Sequence, residues 1–241
     1  MGLRGPKPKG KVKIRWSPNF AYAIGLLATD GHLSKDGRHF DLTSKDKEQI
    51  KNFMKCLGVV NKVGKKLSGS GRVALRVQYG DVLFYQFLLT VGLTPAKSKT
   101  LGSLNIPEKY FFDFLRGAFD GDGSFYSYYD LRWRSSFMFY LTFISASPKY
   151  IRWIREKLSQ KLGVRGHISA DGRKRTQQLK YAKREALRIL KKMYYGQAVV
   201  CLGRKRLKIE RALEEDKKNK AVALTKQCAG GEISKRTSLR G

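Results

Sequence analysis

The segments AIGLLATDG, residues 23–31, and LRGAFDGDG, residues 115–123, repeat one pattern within a single chain. Three positions are identical in both copies at a constant spacing of 92 residues: Gly25 and Gly117, Asp30 and Asp122, and Gly31 and Gly123. In each copy an apolar run of helical character ends in Asp-Gly. A chain that places a carboxylate twice at a helix end is expected to build one two-fold site from two half-domains.

The composition is that of a folded and strongly basic protein. Of 241 residues, 41% are apolar and 12% are aromatic, which suffices for one large domain or two. Fifty Lys and Arg against 19 Asp and Glu give a formal net charge of +31. A charge of this size indicates a polyanionic partner.

Several classes of protein and site are disfavoured by the sequence. No run approaches the ~18 apolar residues of a membrane span, and the basic N-terminus MGLRGPKPKGKVKIRW lacks the apolar core of a signal peptide. We therefore expect no membrane partner and a cytoplasmic location. Neither the three cysteines nor the three histidines show disulfide or metal-ligand spacing: Cys56, Cys201, Cys228, His32, His39 and His167.

Periodicity and turn signals predict the order α-β-β-α-β-β-α twice. The first half has helices at 18–30, 46–58 and 80–92 and strands at 31–34, 38–44, 59–67 and 72–79. The second half has helices at 108–121, 148–162 and 183–195 and strands at 123–129, 135–144, 164–170 and 174–181. The predicted fold class is α+β, with two pseudo-symmetric half-domains.

The same signals divide the chain into five segments. They predict a basic N-terminal arm at 1–17, a first half-domain at 18–94, a linker at 95–107, a second half-domain at 108–207 and a charged C-terminal tail at 208–241. Residues 203–220 are predicted as a charged helix or tail, and the last twenty residues as loosely ordered.

Small residues in both motif helices allow their backbones to approach closely: Ala21, Gly25 and Ala28 in the first, and Gly117, Ala118 and Gly121 in the second. Close packing places the helix C-termini side by side, so the carboxylates of Asp30 and Asp122 converge where the helix dipoles are already negative. Such an arrangement is unfavourable unless divalent cations occupy it, and hard oxygen ligands suit Mg²⁺.

Two other interpretations of the motif are weaker. A single Asp-Gly at a helix end is commonly an ordinary C-cap, but the matched pair in a chain this basic argues against it. A calcium loop beginning at Asp120 needs Gly at its sixth position and Glu at its twelfth, where Phe125 and Leu131 stand. The calcium loop is therefore set aside.

Both segments resemble the LAGLIDADG motif, and residues 18–207 resemble a monomeric, two-repeat LAGLIDADG homing endonuclease. The second copy matches closely, whereas the first keeps the Gly and the Asp-Gly but departs at four positions: Ala23, Ile24, Ala28 and Thr29. The resemblance implies that the paired motif helices join two sheets into a DNA-binding saddle. It also implies that Asp30 and Asp122 are catalytic and bind Mg²⁺ or Mn²⁺.

The resemblance further implies a catalytic basic residue beyond the last helix of each half. Lys97 in PAKSKTL and Lys205 in GRKRL occupy these places, with Lys99 and Arg206 as alternatives in a shifted register. Ser44 and Ser145, at the end of the second strand of each half, match a position where the family often has a polar, water-ordering side chain.

Strand alternation assigns residues to the two faces of each sheet. The helix-facing residues are predicted as Leu33, Phe40, Leu42, Val73, Leu75, Val77, Tyr79, Phe137, Phe139, Leu141 and Phe143. The predicted DNA-binding residues on the outward faces are His32, Ser34, His39, Asp41, Thr43, Lys62, Lys66, Arg72, Arg76, Gln78, Ser124, Tyr126, Tyr128, Ser136, Tyr140, Thr142, Arg165, His167, Thr176, Gln178 and Lys180. Such side chains can pair with base edges in a major groove, and because the halves differ, the DNA site is expected to be asymmetric.

Together these features predict an enzyme that cuts both strands of a long, specific duplex by metal-dependent phosphodiester hydrolysis. By resemblance, the cuts would cross the minor groove and leave short 3′ overhangs, and the gene would lie in an intron or intein. The alternative is a non-cleaving nucleic-acid binder on the same fold, either an intron RNA maturase or a DNA-binding regulator. Retention of both carboxylates favours the nuclease, since a binder needs no repulsive acidic pair.

Overall fold

A computed structural model describes residues 10–67, 71, 73–132, 136–170, 172 and 176–236. Its elements follow the predicted order in both halves. The first half contains α1 (Pro18–Thr29), β1 (Gly31–Leu33), β2 (His39–Ser44), α2 (Lys47–Leu57), β3 (Gly64–Leu67), β4 (Val73–Gly80) and α3 (Val82–Val91). The second contains α4 (Phe111–Asp122), β5 (Ser124–Tyr129), β6 (Phe137–Ser145), α5 (Pro148–Leu162), β7 (His167–Ala170), β8 (Gln177–Ala182), α6 (Lys183–Met193) and α7 (Gly203–Arg236). The α+β prediction is confirmed.

The motif helices α1 and α4 pack directly against each other at the centre of the molecule. A Cβ added to Gly25 would lie 2.2 Å from the Phe114 carbonyl oxygen, and one added to Gly117 would lie 2.0 Å from the Tyr22 carbonyl oxygen. No side chain fits at such distances, so glycine at both positions sets the backbone separation. Because α1 is buried from Phe20 to Ala28, this contact forms the middle of the hydrophobic core.

Each half carries one four-stranded antiparallel sheet against these helices. The strand orders are β1-β2-β4-β3 and β5-β6-β8-β7. Leu33, Phe40, Leu42 and Val77 are buried on the inner face of the first sheet, as predicted. The predicted inner residues of the second sheet are buried as well: Phe137, Phe139, Leu141 and Phe143.

Several predicted strand boundaries are wrong. Residues 59–63 are not part of β3, and β7 begins at His167 rather than at residue 164. Val73 was expected inside but is 52% exposed. It pairs with Leu67 at the far end of β3 and β4, where both side chains are exposed, so alternation overstates burial at that end.

The C-terminal region is more helical than its sequence predicts. A single helix, α7, runs from Gly203 to Arg236, so residues 203–220 form the helix that is one of the two predicted alternatives. The helix continues into the last twenty residues, which are predicted as loosely ordered. Its first part packs on the second half through the buried side chains of Ile209 and Ala212. The Tyr129 hydroxyl on β5 donates a hydrogen bond to the Glu215 carboxylate. Within the part of the chain that is described, no helix has both the length and the apolarity to cross a membrane.

Alanine at either central glycine should weaken the fold. A methyl group at Gly25 or Gly117 would overlap backbone atoms of the opposing helix, which cannot move aside as a side chain could. We expect Gly25→Ala and Gly117→Ala each to cost about 3 kcal/mol, or about 10 °C in thermal melting. Gly102→Ala is the matched control, because no atom lies within 4 Å of its Cβ. Melting temperatures equal to that of this control would contradict the close contact.

Candidate functional site

The α1–α4 contact brings the two motif carboxylates to one place. Asp30 caps the C-terminus of α1, its N–H donating to the Leu26 carbonyl at 2.9 Å, and Asp122 is the last residue of α4. A Cβ on Gly121 would lie 2.0 Å from Thr29 Oγ1 and 3.2 Å from Asp30 Oδ2. The end of α4 therefore lies against Asp30, as the paired motif predicts.

Partial desolvation disfavours the charged forms of both acids, and the charge of Asp122 adds to this effect at Asp30. Desolvation, followed by the negative charge of Asp122, raises the pKa of Asp30 to about 6. Desolvation also raises the pKa of Asp122, against the attraction of Lys205 and Lys97. The site thus holds two carboxylates whose ionised forms are costly without a neighbouring cation.

Lys97 and Lys205 are buried and bind the helix ends. The Lys97 ammonium donates to the Gly31 carbonyl, and the Lys205 ammonium donates to the carbonyls of Phe119, Asp120 and Gly123 at 2.5, 2.9 and 2.7 Å. Desolvation lowers the pKa of each lysine to about 8. In these positions both cations offset the negative ends of the helix dipoles.

Two clefts open at this centre, and each combines residues from both halves. The first, of about 650 Å³, contains Asp30 and Ser44 from the first half with Arg204 from the second. The second, of about 200 Å³, contains Asp122 and Ser145 from the second half with Lys97. Each cleft therefore joins the acid of one half to a basic residue from outside that half: Lys97 from the linker in one cleft, and Arg204 from the second half in the other.

The two predicted serines each accept a hydrogen bond from a nearby backbone N–H. Ser44 Oγ accepts from the Asp46 N–H at 3.0 Å, and Ser145 Oγ accepts from the Ser147 N–H at 3.1 Å. Both hydroxyls lie at cleft walls, so the structure places them at equivalent positions. Their water-ordering role stays a prediction.

Two buried groups that the sequence analysis missed hold the second half of the site. Asp120 accepts from the Tyr22 hydroxyl at 2.8 Å and from the Leu202 N–H at 2.7 Å, three residues before Lys205. Arg116 donates to the carbonyls of Met193 and Val200 at 2.7 and 2.8 Å. Asp120 could have been suspected, since the first motif copy has Ala28 at the matching position.

The donor set fits a hydrated hard cation. Among the described residues no cluster of three or more His, Cys, Asp or Glu could hold a metal ion. Asp30 and Asp122 are the two carboxylates at the meeting helix ends, and a pair of this kind suits a cation such as Mg²⁺ that keeps several of its waters.

Comparisons with known proteins identify the fold. No protein-family model and no curated protein sequence matches the chain. Among solved structures, the homing endonuclease I-WcaI bound to its DNA recognition sequence aligns with a TM-score of 0.59 and 13% identity, covering 86% of this chain and 95% of its own. The I-LtrWI LAGLIDADG homing endonuclease bound to target DNA gives 0.55 and 11%, with coverages of 84% and 91%. This protein has the LAGLIDADG fold.

A third similar structure is not described as an endonuclease. Full-length DUF199/WhiA from Thermatoga maritima aligns with a TM-score of 0.54 and 13% identity, covering 92% of this chain and 73% of that one. Its N-terminal domain is itself described as a LAGLIDADG domain. At these identities the likeness extends to the fold alone.

On the first sheet of the LAGLIDADG fold, a charged cluster lies on the outward face. Arg76 Nη2 donates to Asp41 Oδ2 at 2.8 Å, and His32 Nδ1 lies 3.2 Å from the same oxygen. Asp41 was expected to be exposed but is only 1% exposed, because these two side chains cover it. Asp41 therefore orients Arg76 and His32 and is not itself a surface group.

On the second sheet, the register aligns one outward row across all four strands: Ser124, Thr142, Lys180 and His167. Thr142 was also expected to be exposed, but it is 1% exposed in the centre of this row. Beside the row, Tyr140 stacks on Tyr126 and Tyr128 with ring centroids 5.3 and 6.3 Å apart. The second sheet therefore presents aromatic rings where the first presents charges.

The remaining predicted outward residues fall into three groups. Five are exposed: Lys62, Lys66, Gln78, Arg165 and His167. The half-buried residues are Ser34, His39, Thr43, Ser124, Ser136, Thr176, Gln178 and Lys180. Of these, His39 contacts Asp36, with 2.5 Å between Nδ1 and Oδ2. Arg72 lies outside the described residues.

Neutralising Asp122 should stabilise the metal-free LAGLIDADG fold. Because its pKa is raised, the ionised carboxylate destabilises the folded state at neutral pH, and the wild type regains that stability as the pH falls. We expect Asp122→Asn to raise the melting temperature in EDTA at neutral pH by at most about 2 °C, a small gain because Asp122 is exposed and water screens its charge. The gain should vanish towards about pH 4.

Asp130→Asn is the matched control for this measurement. Arg132 lowers the pKa of Asp130, so its ionised form favours folding and the substitution should give no gain. A lower melting temperature for Asp122→Asn than for the wild type would show that the ionised Asp122 carboxylate does not destabilise the folded state.

Proposed function

We propose that this protein is a site-specific DNA endonuclease that hydrolyses both strands of a duplex with divalent cations held at Asp30 and Asp122. The observation that carries the proposal is the convergence of these carboxylates at adjoining helix ends, with Lys97 and Lys205 buried beside them. Such an acidic pair lowers the stability of the fold. A protein that only binds DNA has no need for the pair.

Three features support duplex DNA as the substrate. The chain carries a formal net charge of +31. Its two sheets present polar outward faces, and a two-stranded β-ribbon can enter a major groove. The similar endonucleases I-WcaI and I-LtrWI are described as bound to DNA. Because one face is charged and the other aromatic, the preferred site should be asymmetric and a single chain should suffice.

In the proposed reaction, water attacks the phosphorus of a scissile phosphodiester, one P–O bond forms, one P–O bond breaks, and the leaving oxygen takes up a proton. The bound cations, Mg²⁺ or Mn²⁺, would activate the water and stabilise the departing oxygen. The chain's own part is to hold the two carboxylates close together. Lys97 and Lys205 would keep positive charge near the phosphates, and Ser44 and Ser145 would help to order water.

The second candidate function is nucleic-acid binding without cleavage, with intron RNA or DNA as the ligand. It is favoured by the match to DUF199/WhiA, whose name does not describe an endonuclease. The two functions are separated by incubating plasmid that carries the host insertion site with protein and Mg²⁺, because only the nuclease would linearise it.

Replacing either carboxylate should stop double-strand cleavage. Asp30→Asn or Asp122→Asn removes a cation ligand, whereas neither residue lies among the outward side chains that would contact bases. We expect linear product to disappear while affinity for the specific duplex, measured by fluorescence anisotropy in Ca²⁺, stays within about threefold. Asp130→Asn should cleave normally. Full double-strand cleavage by both single variants would rule out the two-acid site.

Removing Arg76 should weaken recognition rather than chemistry. Arg76 is held on the outward face by Asp41, so its guanidinium is positioned for a base edge. We expect Arg76→Gln to cost about 1–3 kcal/mol of affinity and to relax preference at one base pair. Exposed Arg152 on α5 is the control, and Arg152→Gln should keep the preference at every base pair. Equal losses on specific and random duplexes would make Arg76 a phosphate contact.

A further inference from the structure

The segment that precedes α1 is fastened to the start of α3 by one buried carboxylate. Asp81 is 2% exposed, and its Oδ2 accepts from the N–H groups of Lys11 and Val12 at 2.5 and 2.9 Å. Its Oδ1 accepts from the Phe84 N–H at 2.9 Å and so caps α3 at the same time. Val12 is buried at this junction, whereas Lys11 is exposed. The junction therefore holds one basic residue of the N-terminal segment at a defined place on the surface.

The start of α3 also holds the turn between β1 and β2. The Asp81 N–H donates to the Arg38 carbonyl at 3.0 Å. The Tyr85 hydroxyl, one turn further along α3, donates to the Ser34 carbonyl at 2.6 Å. Both ends of the turn are thus bound to α3, and the backbones of Lys11 and Arg38 meet at a single residue.

Three exposed basic residues lie at this meeting point, and we call them the basic rim: Lys11, Lys35 and Arg38. Among the described residues, none of the three forms a salt bridge. Asp36, the acid of the same turn, is already engaged: its Oδ1 accepts from the Arg38 N–H at 3.0 Å, and its Oδ2 lies 2.5 Å from His39 Nδ1. The positive charges of the basic rim therefore face solvent without a partner.

The corresponding end of the second sheet carries paired charges. In the turn between β5 and β6, Arg132 Nη2 lies 2.9 Å from Asp130 Oδ2. Lys183, the first residue of α6, forms a salt bridge with Asp216. Ala182 precedes α6 where a carboxylate precedes α3, so this end has no group that could fasten a second basic segment. The basic rim therefore belongs to the first half alone.

The basic rim lies at the end of β2 that is remote from the motif acids. Ser44, the last residue of β2, lines the Asp30 cleft, whereas the first residue, His39, directly follows Arg38. Five residue steps of about 3.3 Å place the rim about 17 Å from that cleft. Since each base pair occupies about 3.4 Å of a duplex, this distance corresponds to about five base pairs. A duplex that follows the outward face past His39 brings its backbone to the rim.

We propose that the basic rim binds the sugar–phosphate backbone of duplex DNA beyond the part that faces the first sheet, so that the contact with DNA is longer on one side. The sequence before Gly10 adds three more basic residues to the same end of the chain: Arg4, Lys7 and Lys9. Phosphates are alike at every base pair, so this contact adds affinity without base preference. The inference rests on the proposed function, because it requires the outward faces to lie on a duplex.

The salt dependence of binding tests the inference. The full chain is titrated onto a duplex that carries the host insertion site, and affinity is measured by fluorescence anisotropy in Ca²⁺ between about 50 and about 200 mM salt. We expect Lys11→Gln and Arg38→Gln each to reduce the slope of log affinity against log salt by about 1, with equal effects on every base-substituted duplex. Arg152→Gln removes the same charge from α5 and should keep the wild-type slope. Cleavage at saturating protein should be unchanged in all three variants.

Shortening the duplex from one end at a time shows on which side the rim acts. Loss of the flank next to the first half should weaken binding of the wild type, because the phosphates that the rim contacts are removed. The same truncation should have no effect on a variant that combines Lys11→Gln with Arg38→Gln. Truncation of the opposite flank should affect neither protein.

Three results would overturn the inference: wild-type slopes for both Lys11→Gln and Arg38→Gln, an equal reduction by Arg152→Gln, or equal sensitivity of the wild type to truncation at both ends. A change of preference at one base pair in either rim variant would make the rim a base contact and would also overturn it. If the slopes are unchanged while the plasmid is still linearised, the proposed function stands and only the rim fails. If the wild type neither binds nor cleaves the duplex, both fail.

Discussion

The contact between α1 and α4 at Gly25 and Gly117 is the constraint on which the rest of the structure depends. Each glycine faces a backbone carbonyl of the other helix so closely that no Cβ could be accommodated. The short separation places the two helix C-termini together, and with them Asp30 and Asp122. Each motif helix also lies beneath the sheet of its own half, so one helix pair determines both the position of the acids and the relation between the outward faces.

This packing carries an electrostatic cost, and buried cations offset it. Two carboxylates and two negative helix ends meet where Asp30 is half-buried and Asp122 is exposed, and partial desolvation raises the pKa of both acids. Lys205 reduces the cost by binding carbonyls at the end of α4, and Lys97 does so by binding the Gly31 carbonyl just beyond α1. Arg116 and Asp120 in turn hold the segment that leads to Lys205. Much of the polar interior therefore serves to keep a repulsive pair in place, which is typical of functional sites.

The outward faces show how one repeated fold can present two unlike surfaces. Inner residues are constrained by the shared core, so both sheets keep the same apolar alternation. Outward residues are free of that constraint, and here one half has the cluster of His32, Asp41 and Arg76 while the other has three stacked tyrosines. The ion pair with buried Asp41 restricts Arg76 before any ligand binds, which favours selective recognition. The basic rim extends the same divergence to the outer end of the first sheet, where the second sheet has paired charges.

The sequence alone determined the repeat, the element order of both halves and most of the inner face of each sheet, because these follow from local periodicity and turn residues. It also determined that Asp30 meets Asp122, because the motif that carries them occurs twice. Only the tertiary structure decided which polar residues are buried and what they bind. Asp41 is covered by Arg76, 35 residues away; Lys97 reaches Gly31 across 66 residues, and Asp81 reaches Lys11 across 70. Strand alternation assigns a side chain to a face but not its exposure, since exposure depends on neighbours from other strands and helices. Contacts between distant parts of the chain have no local pattern, and therefore the partners of the buried polar groups could be seen only after the helices and sheets were assembled.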